Sequence, residues 1–175
     1  MRDLTLIVIL TILCTKVVGA QSAQARRAAD EDSIREAIIR TQIAHNPVGE
    51  QANIFFVSLG KGKGKDAPAR FLKRFTGSMI VVKKGSDCHF DPKPLPDLGI
   101  DKSSAYMIYG IRDKKTGKPG VQMYIGKIKW ISRHRAKLDF RYYSGGLSAG
   151  HYTDVLLVRR NGSWSVKDWG TGTVS

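Results

Sequence analysis

Cysteine is scarce: Cys14 and Cys88 are the only two in 175 residues. A disulfide-stapled fold is therefore excluded, and a hydrophobic core must hold the chain. Metal-ligand spacing is missing too. His45, His89, His134 and His151 form no H-x-x-x-H pair and no Cys–His cluster, so no metal or other cofactor is expected. No apolar run reaches the roughly 20 residues that a transmembrane helix wants. Acidic residues are few, 15 Asp and Glu against 29 Lys and Arg, which leaves a net charge of +14. With 42% apolar residues there is still enough for a packed core, which argues against wholesale disorder. The length allows one ordinary domain and rules out a catalytic machine of several.

What is present begins with the pattern of an export signal. Arg2 precedes an apolar run from Leu4 to Leu13 broken only by Thr5 and Thr11, and small residues lead up to Ala20 and Gln21. A positive start, a short apolar stretch and a small-residue exit are the layout of a secretory signal peptide. Lys16 interrupts the far end, which weighs against the competing reading of an uncleaved anchor. Leu13 stands before Cys14 where a lipoprotein would need a small residue. Cleavage after Ala20 removes Cys14 and leaves Cys88, which reads as a buried small apolar side chain rather than a nucleophile. The expectation is an exported protein, periplasmic or secreted: 1–20 a signal peptide, 21–31 a flexible leader, 32–175 a single α+β domain.

Within that domain, Ser33-Ile34-Arg35-Glu36 reads as a capping box that opens an amphipathic helix to about His45, stopped by Asn46-Pro47. Ile54 to Leu59 is a short apolar strand. Gly60 to Lys65 alternates glycine and lysine as a flexible basic loop, and Asp66 is expected to cap a second helix through about Phe75. Met79 to Val82 reads as a strand, and Lys83 to Lys102 as a long irregular connection. From Tyr106 the pattern turns to β. The strands expected are Tyr106 to Ile111, Val121 to Ser132, Ala136 to Tyr143, Tyr152 to Arg160 and Ser163 to Trp169.

Two of these hairpins can be registered. Asn161-Gly162 is a strong two-residue hairpin signal and pairs Arg159 with Trp164 and Leu157 with Val166. A three-residue loop at Arg133 to Arg135 sets Trp130 opposite Leu138 and Ile128 opposite Phe140, with one face apolar and the other charged. Upstream, Val121, Met123 and Ile125 are odd-numbered while Ile128 and Trp130 are even, a phase switch that predicts a bulge at Gly126 or Lys127.

Helices early and a meander late make an α+β fold, N-terminal helices packed on a curved antiparallel sheet of four to six strands. Asp32 to Ala37, Phe71 to Phe75, Trp130-Ile131-Ser132, the stretch from Tyr142-Tyr143 to Leu147-Ser148-Ala149 and Gly162 to Val166 carry a resemblance across most of the domain. In these pieces the chain resembles small, mostly uncharacterised bacterial exported proteins with a nuclear-transport-factor-2-like (cystatin-like) cone fold. The resemblance implies a fold and no defined activity.

Candidate sites follow from charge and rings. Lys61, Lys63 and Lys65, with Arg70, Lys73 and Arg74 nearby, form an early basic cluster. The spacing is not that of a phosphate loop, because Lys65 is followed by Asp66. Lys127, Lys129, Arg133, Arg135, Lys137 and Arg141 fall on the outer face or tip of one hairpin, with Asp139 the lone acid there. The plain reading is a soluble basic surface; the functional one is a face for a polyanion. The partner expected is an anionic envelope polymer, a lipid headgroup or an acidic protein. Nucleic acid is less favoured, because export takes the chain away from it and no binding motif appears. Tyr143, His151, Tyr152 and Trp169 are candidates for the mouth of a cone-like pocket that takes a small molecule, the plain alternative being that they finish the core. An enzyme reading would use Ser148, His151 and Asp168, but nothing marks Ser148 as activated, and a non-catalytic binding module is preferred. Folds of this look commonly oligomerise through the sheet, so a homodimer is among the expectations.

Overall fold

A computed structural model describes residues 3–45, 53–60, 64–93, 108–145 and 148–174. The first element is one long helix, α1 (Asp3–His45). After β1 (Ile54–Leu59) come the two-residue strand β2 (Lys65–Asp66) and the short helix α2 (Ala69–Leu72), which tightens into a 3-10 turn at Lys73–Phe75. Next are β3 (Val81–Lys84), β4 (Cys88–Lys93), β5 (Ile108–Asp113) and β6 (Val121–Ile125). The chain ends in β7 (Lys129–Ser132), β8 (Arg135–Gly145), β9 (Ser148–Arg160), β10 (Ser163–Asp168) and β11 (Thr171–Val174).

All eleven strands among the described residues join one sheet, whose main path runs β10-β9-β8-β6-β1-β2. It curls into a half-barrel around α1. The expected α+β architecture, N-terminal helices on a four-to-six-strand antiparallel sheet of the nuclear-transport-factor-2-like (cystatin-like) kind, is therefore corrected. The described structure is mostly sheet, 53% strand against 26% helix, with one long helix rather than several. The sheet is also mixed: β1 runs parallel to both β3 and β6, pairing Val57 with Lys84 and with Met123.

Strand alternation divides the sheet into two faces. On the concave face Phe55 and Val57 of β1, Val121, Met123 and Ile125 of β6, and Ala136, Leu138, Phe140 and Tyr142 of β8 meet Ile34, Ile38 and Ile39 of α1. Phe71 and Phe75 close the end of this core, with their rings edge to face at 5.5 Å. On the convex face a smaller cluster forms where β4 and β5 fold over β1: Ile54, Phe56, Cys88 and Ile111, with Tyr143 against them. Burial pushes the Cys88 thiol above its ordinary value, and its sulfur contacts the Gly85 carbonyl at 3.1 Å.

Several local expectations are corrected. Ser33 does not cap a helix start, because α1 already runs through it; its hydroxyl donates to the Ala29 carbonyl one turn back. Glu36 accepts from Arg40 and Arg74 instead of reaching back to an N-cap amide. Residues 21–31 lie within α1. Asp66 caps nothing; it accepts from the Ser86 amide and hydroxyl, and Pro68 stands before α2. The stretch from Lys83 is not wholly irregular, since β4 occupies Cys88–Lys93; the remainder to Lys102 lies outside the described residues. Among the described residues β4 pairs only with β5, which puts Pro92 on an edge strand, where a proline is tolerated.

The Asn161-Gly162 hairpin forms in the expected register, Trp164 with Arg159 and Val166 with Leu157, both turn residues at positive φ. The hairpin before it is shifted by two: Trp130 pairs with Ala136 and Lys129 with Lys137. A two-residue slip keeps every side chain on its face, so the apolar pattern cannot tell the registers apart. The phase switch is real. Ile125 pairs with Phe140 and Lys129 with Lys137, so residues 126–128 stand against only two on β8, with the Gly126 amide bonded to the Asp139 carbonyl at 2.7 Å.

Candidate anion-binding face

The convex face of β6, β8, β9 and β11 carries one cross-strand row. Ser58 of β1 pairs with Tyr124, Tyr124 with Arg141, Arg141 with His151, and His151 with Thr173. Tyr124 points outward because it alternates with the buried Val121, Met123 and Ile125; Arg141 does so because it alternates with Phe140 and Tyr142. Around this row lies an open trough in two parts. The larger, about 650 Å³, is lined by Gly60, Tyr124, Lys127, Lys129, Asp139 and Arg141. The smaller, about 270 Å³, shares Tyr124 and Arg141 and adds Tyr143, His151 and Thr173.

Charge along the trough is uneven. Asp154, at φ 57 in a bulge of β9, accepts from Lys129 at 3.4 Å and lies 3.7 Å from Lys137. Its backbone amide donates to Asp139. Lys129 and Lys137 are thus partly neutralised. Among the described residues no carboxylate pairs with Lys127, Arg133, Arg135 or Arg141, all exposed. Arg133 and Arg135 flank the β7–β8 turn, away from the cavity. Lys65 is exposed on β2, at the far side of β1; Lys61 and Lys63 lie outside the described residues.

Two members of the early basic cluster, Arg70 and Arg74, are consumed within the fold. Arg70 meets Asp32 at 3.0 Å, and Arg74 meets Glu36 at 2.6 Å. These pairs lock α2 and the 3-10 turn after it to α1. Burial would raise the Glu36 pKa, but the hydrogen bonds from Arg40 and Arg74 outweigh it and hold the carboxyl below its usual range. Lys73 ends up beside this clamp and not in the trough.

The four candidate ring residues divide between the faces. Tyr143 and His151 line the convex trough. Tyr152 and Trp169 sit on the concave side, 4.9 Å apart, against Phe140 at 6.4 and 6.0 Å. Burial raises the Tyr152 phenol pKa, with Tyr142 nearby adding to it. No single cavity among those described gathers all four. Ser148, His151 and Asp168 are not brought together either: His151 pairs with Thr173 and Asp168 with Leu156, roughly 17 Å apart along β9 at 3.3 Å per residue. No group of three or more His, Cys, Asp or Glu side chains is placed to hold a metal among the described residues.

Sequence reading missed Tyr124 and Gln122. Their signal was available, since both are polar-tipped positions alternating within Val121 to Ile125. Burial pushes the Tyr124 phenol above its ordinary value, the Cys88 thiol adds to the rise, and a hydrogen bond with Gln122 works against it. Gln122 Oε1 is left buried without a partner. With its pKa raised, the Tyr124 phenol is neutral near pH 7.

Comparison with known proteins finds no matching family model, no matching curated protein and no matching solved structure. The fold and face together define the class: a half-barrel wrapped on one long helix, with a cationic, tyrosine-walled trough on its convex side. Among the described residues no helix is long and apolar enough to cross a membrane.

Proposed function

We propose that this chain is an exported, non-catalytic binding module whose basic outer sheet face holds an anionic polymer of the cell envelope. The observation that carries the reading is the pairing of Arg141 and Lys127 in one trough, both without a carboxylate partner among the described residues. Unpaired cations on a surface of net charge +14 attract a polyanion over several ångströms and release its counterions on contact. A trough in two adjoining parts that share Tyr124 and Arg141 can take successive units of a chain. Export rests on the signal-like pattern that ends at Ala20.

The test is retention of the full chain on immobilised polygalacturonate across a salt series. Screening shortens from about 10 Å at 0.1 M to about 3 Å at 1 M, so binding should fall steeply. Lys127→Glu with Arg141→Glu should abolish it at low salt. Salt-independent retention, or retention unchanged in the double variant, would sink the reading.

A further inference from the structure

We propose that the smaller part of the trough is a subsite for a single carboxylate-bearing sugar ring, a hexuronate unit, with Arg141 as the carboxylate fork and Tyr124 as a second donor. The proposal deepens the polyanion reading and rests on it. Geometry gives the shape. Arg141 stands between Tyr124 on one neighbouring strand and His151 on the other, strands about 4.8 Å apart, so all three head groups converge on one patch. The cavity of about 270 Å³ is roughly nine water volumes, room for one monosaccharide ring and little else.

Chemistry gives the ligand class. A guanidinium presents a planar fork that matches a carboxylate through two parallel N–H···O bonds, which a lysine cannot reproduce. Tyr124 stands directly across from Arg141 on the neighbouring strand and lines the same cavity, where its neutral phenol can donate to a ligand. Tyr143 supplies an apolar wall for the ring's C–H face, and it is held from behind by Phe90, whose ring centroid is 6.1 Å away. One fork, one neutral donor and one aromatic wall in a ring-sized space suit a sugar acid. A polyphosphate would be served by cations alone and would leave the wall and the phenol unused.

The experiment is calorimetric titration of the full chain with a galacturonate trimer, a neutral galactose trimer and tripolyphosphate, on wild type, Arg141→Lys and Tyr124→Phe. The galacturonate trimer should bind at least about tenfold more tightly than the neutral trimer. Arg141→Lys keeps the charge and loses the fork, so it should weaken trimer binding about five- to tenfold. Tyr124→Phe should cost about three- to fivefold. Arg141 is exposed, so its variant should fold normally, which an unchanged circular-dichroism melt checks. If Arg141→Lys binds the trimer as tightly as wild type while polymer retention stays salt-sensitive, the subsite is overturned and the polyanion reading survives. Preference for tripolyphosphate over galacturonate overturns it likewise. If neither polymer nor trimer binds, both readings fall.

Discussion

The ring of Tyr142 on β8 lies over the bare Cα of Gly150, its cross-strand partner on β9, in the space that a Cβ would occupy. Tyr142 is 5% exposed and forms part of the concave core, so it cannot swing aside freely. Gly150→Ala should therefore destabilise the fold by about 1–3 kcal/mol, as overpacking does. A urea melt reads this directly. An unchanged midpoint would mean that the ring does not cover Gly150.

The clamp between α1 and α2 should respond asymmetrically. Asp32 is 5% exposed and is shared by Arg35 and Arg70, whereas the Arg70 side chain is 65% exposed. Asp32→Ala leaves partners unpaired near a buried position and should cost about 1–3 kcal/mol. Arg70→Ala removes a largely solvated partner and should cost under about 1 kcal/mol. Equal losses in a pair of denaturation curves would contradict this placement.

Ser33 distinguishes a helix start from a helix interior. At an N-cap, Ser33→Ala would cost about 1 kcal/mol. Inside α1 its hydroxyl donates to Ala29 and accepts from Arg74 at 3.1 Å, an exposed bond offset by the better helix propensity of alanine. The expected change is within about 0.5 kcal/mol, measured by the same melts. A full cap-sized loss would show that the helix begins there after all.

Asp113 should dominate the acid limb of stability. Hydrogen bonds from Lys83 at 2.8 Å and from Thr116 hold its pKa at about 2, against an ordinary value of 3.8. A depressed folded-state pKa means that the unfolded chain binds the proton first. The stabilisation is complete above about pH 4 and is lost as the pH falls toward 2. Asp113→Asn should flatten the stability profile between pH 4 and 2, which urea midpoints across that range will show. A variant with the wild-type slope would refute the assignment.

Export makes a prediction about the N-terminus. If the chain is processed as proposed, the protein recovered from a secreting host should begin at Gln21. Intact-mass measurement decides: a species that retains Met1 through Ala20 outside the cytoplasm would contradict cleavage there.

What could be read from sequence was local. The Asn161-Gly162 turn fixes its hairpin because only residues tolerant of positive φ fit a tight turn, and the register follows. The odd-to-even switch across Gly126 exposed an extra residue because a pleat cannot carry one apolar face through such a change. An equivalent switch at Asp154 went unread. Phe140 pairs with Tyr152 and Leu138 with Val155, so β9 spends one extra residue there. That bulge turns Tyr152 toward the core with Val155 and Leu157 and turns His151 outward beside Arg141. The imagined pocket of Tyr143, His151, Tyr152 and Trp169 split along this line.

Sequence by itself determined a core without disulfides, an excess of positive charge, and the apolar and charged faces of β6 to β10, because turn sterics and strand alternation act over a few residues. Only the tertiary structure decided that β1 lies parallel between β3 and β6, that Asp32 and Glu36 consume Arg70 and Arg74, and that Tyr124 meets Arg141. These contacts join residues far apart along the chain. The choice among strand neighbours is made by which arrangement buries the most apolar surface around α1 at once, and a local pattern does not encode that sum.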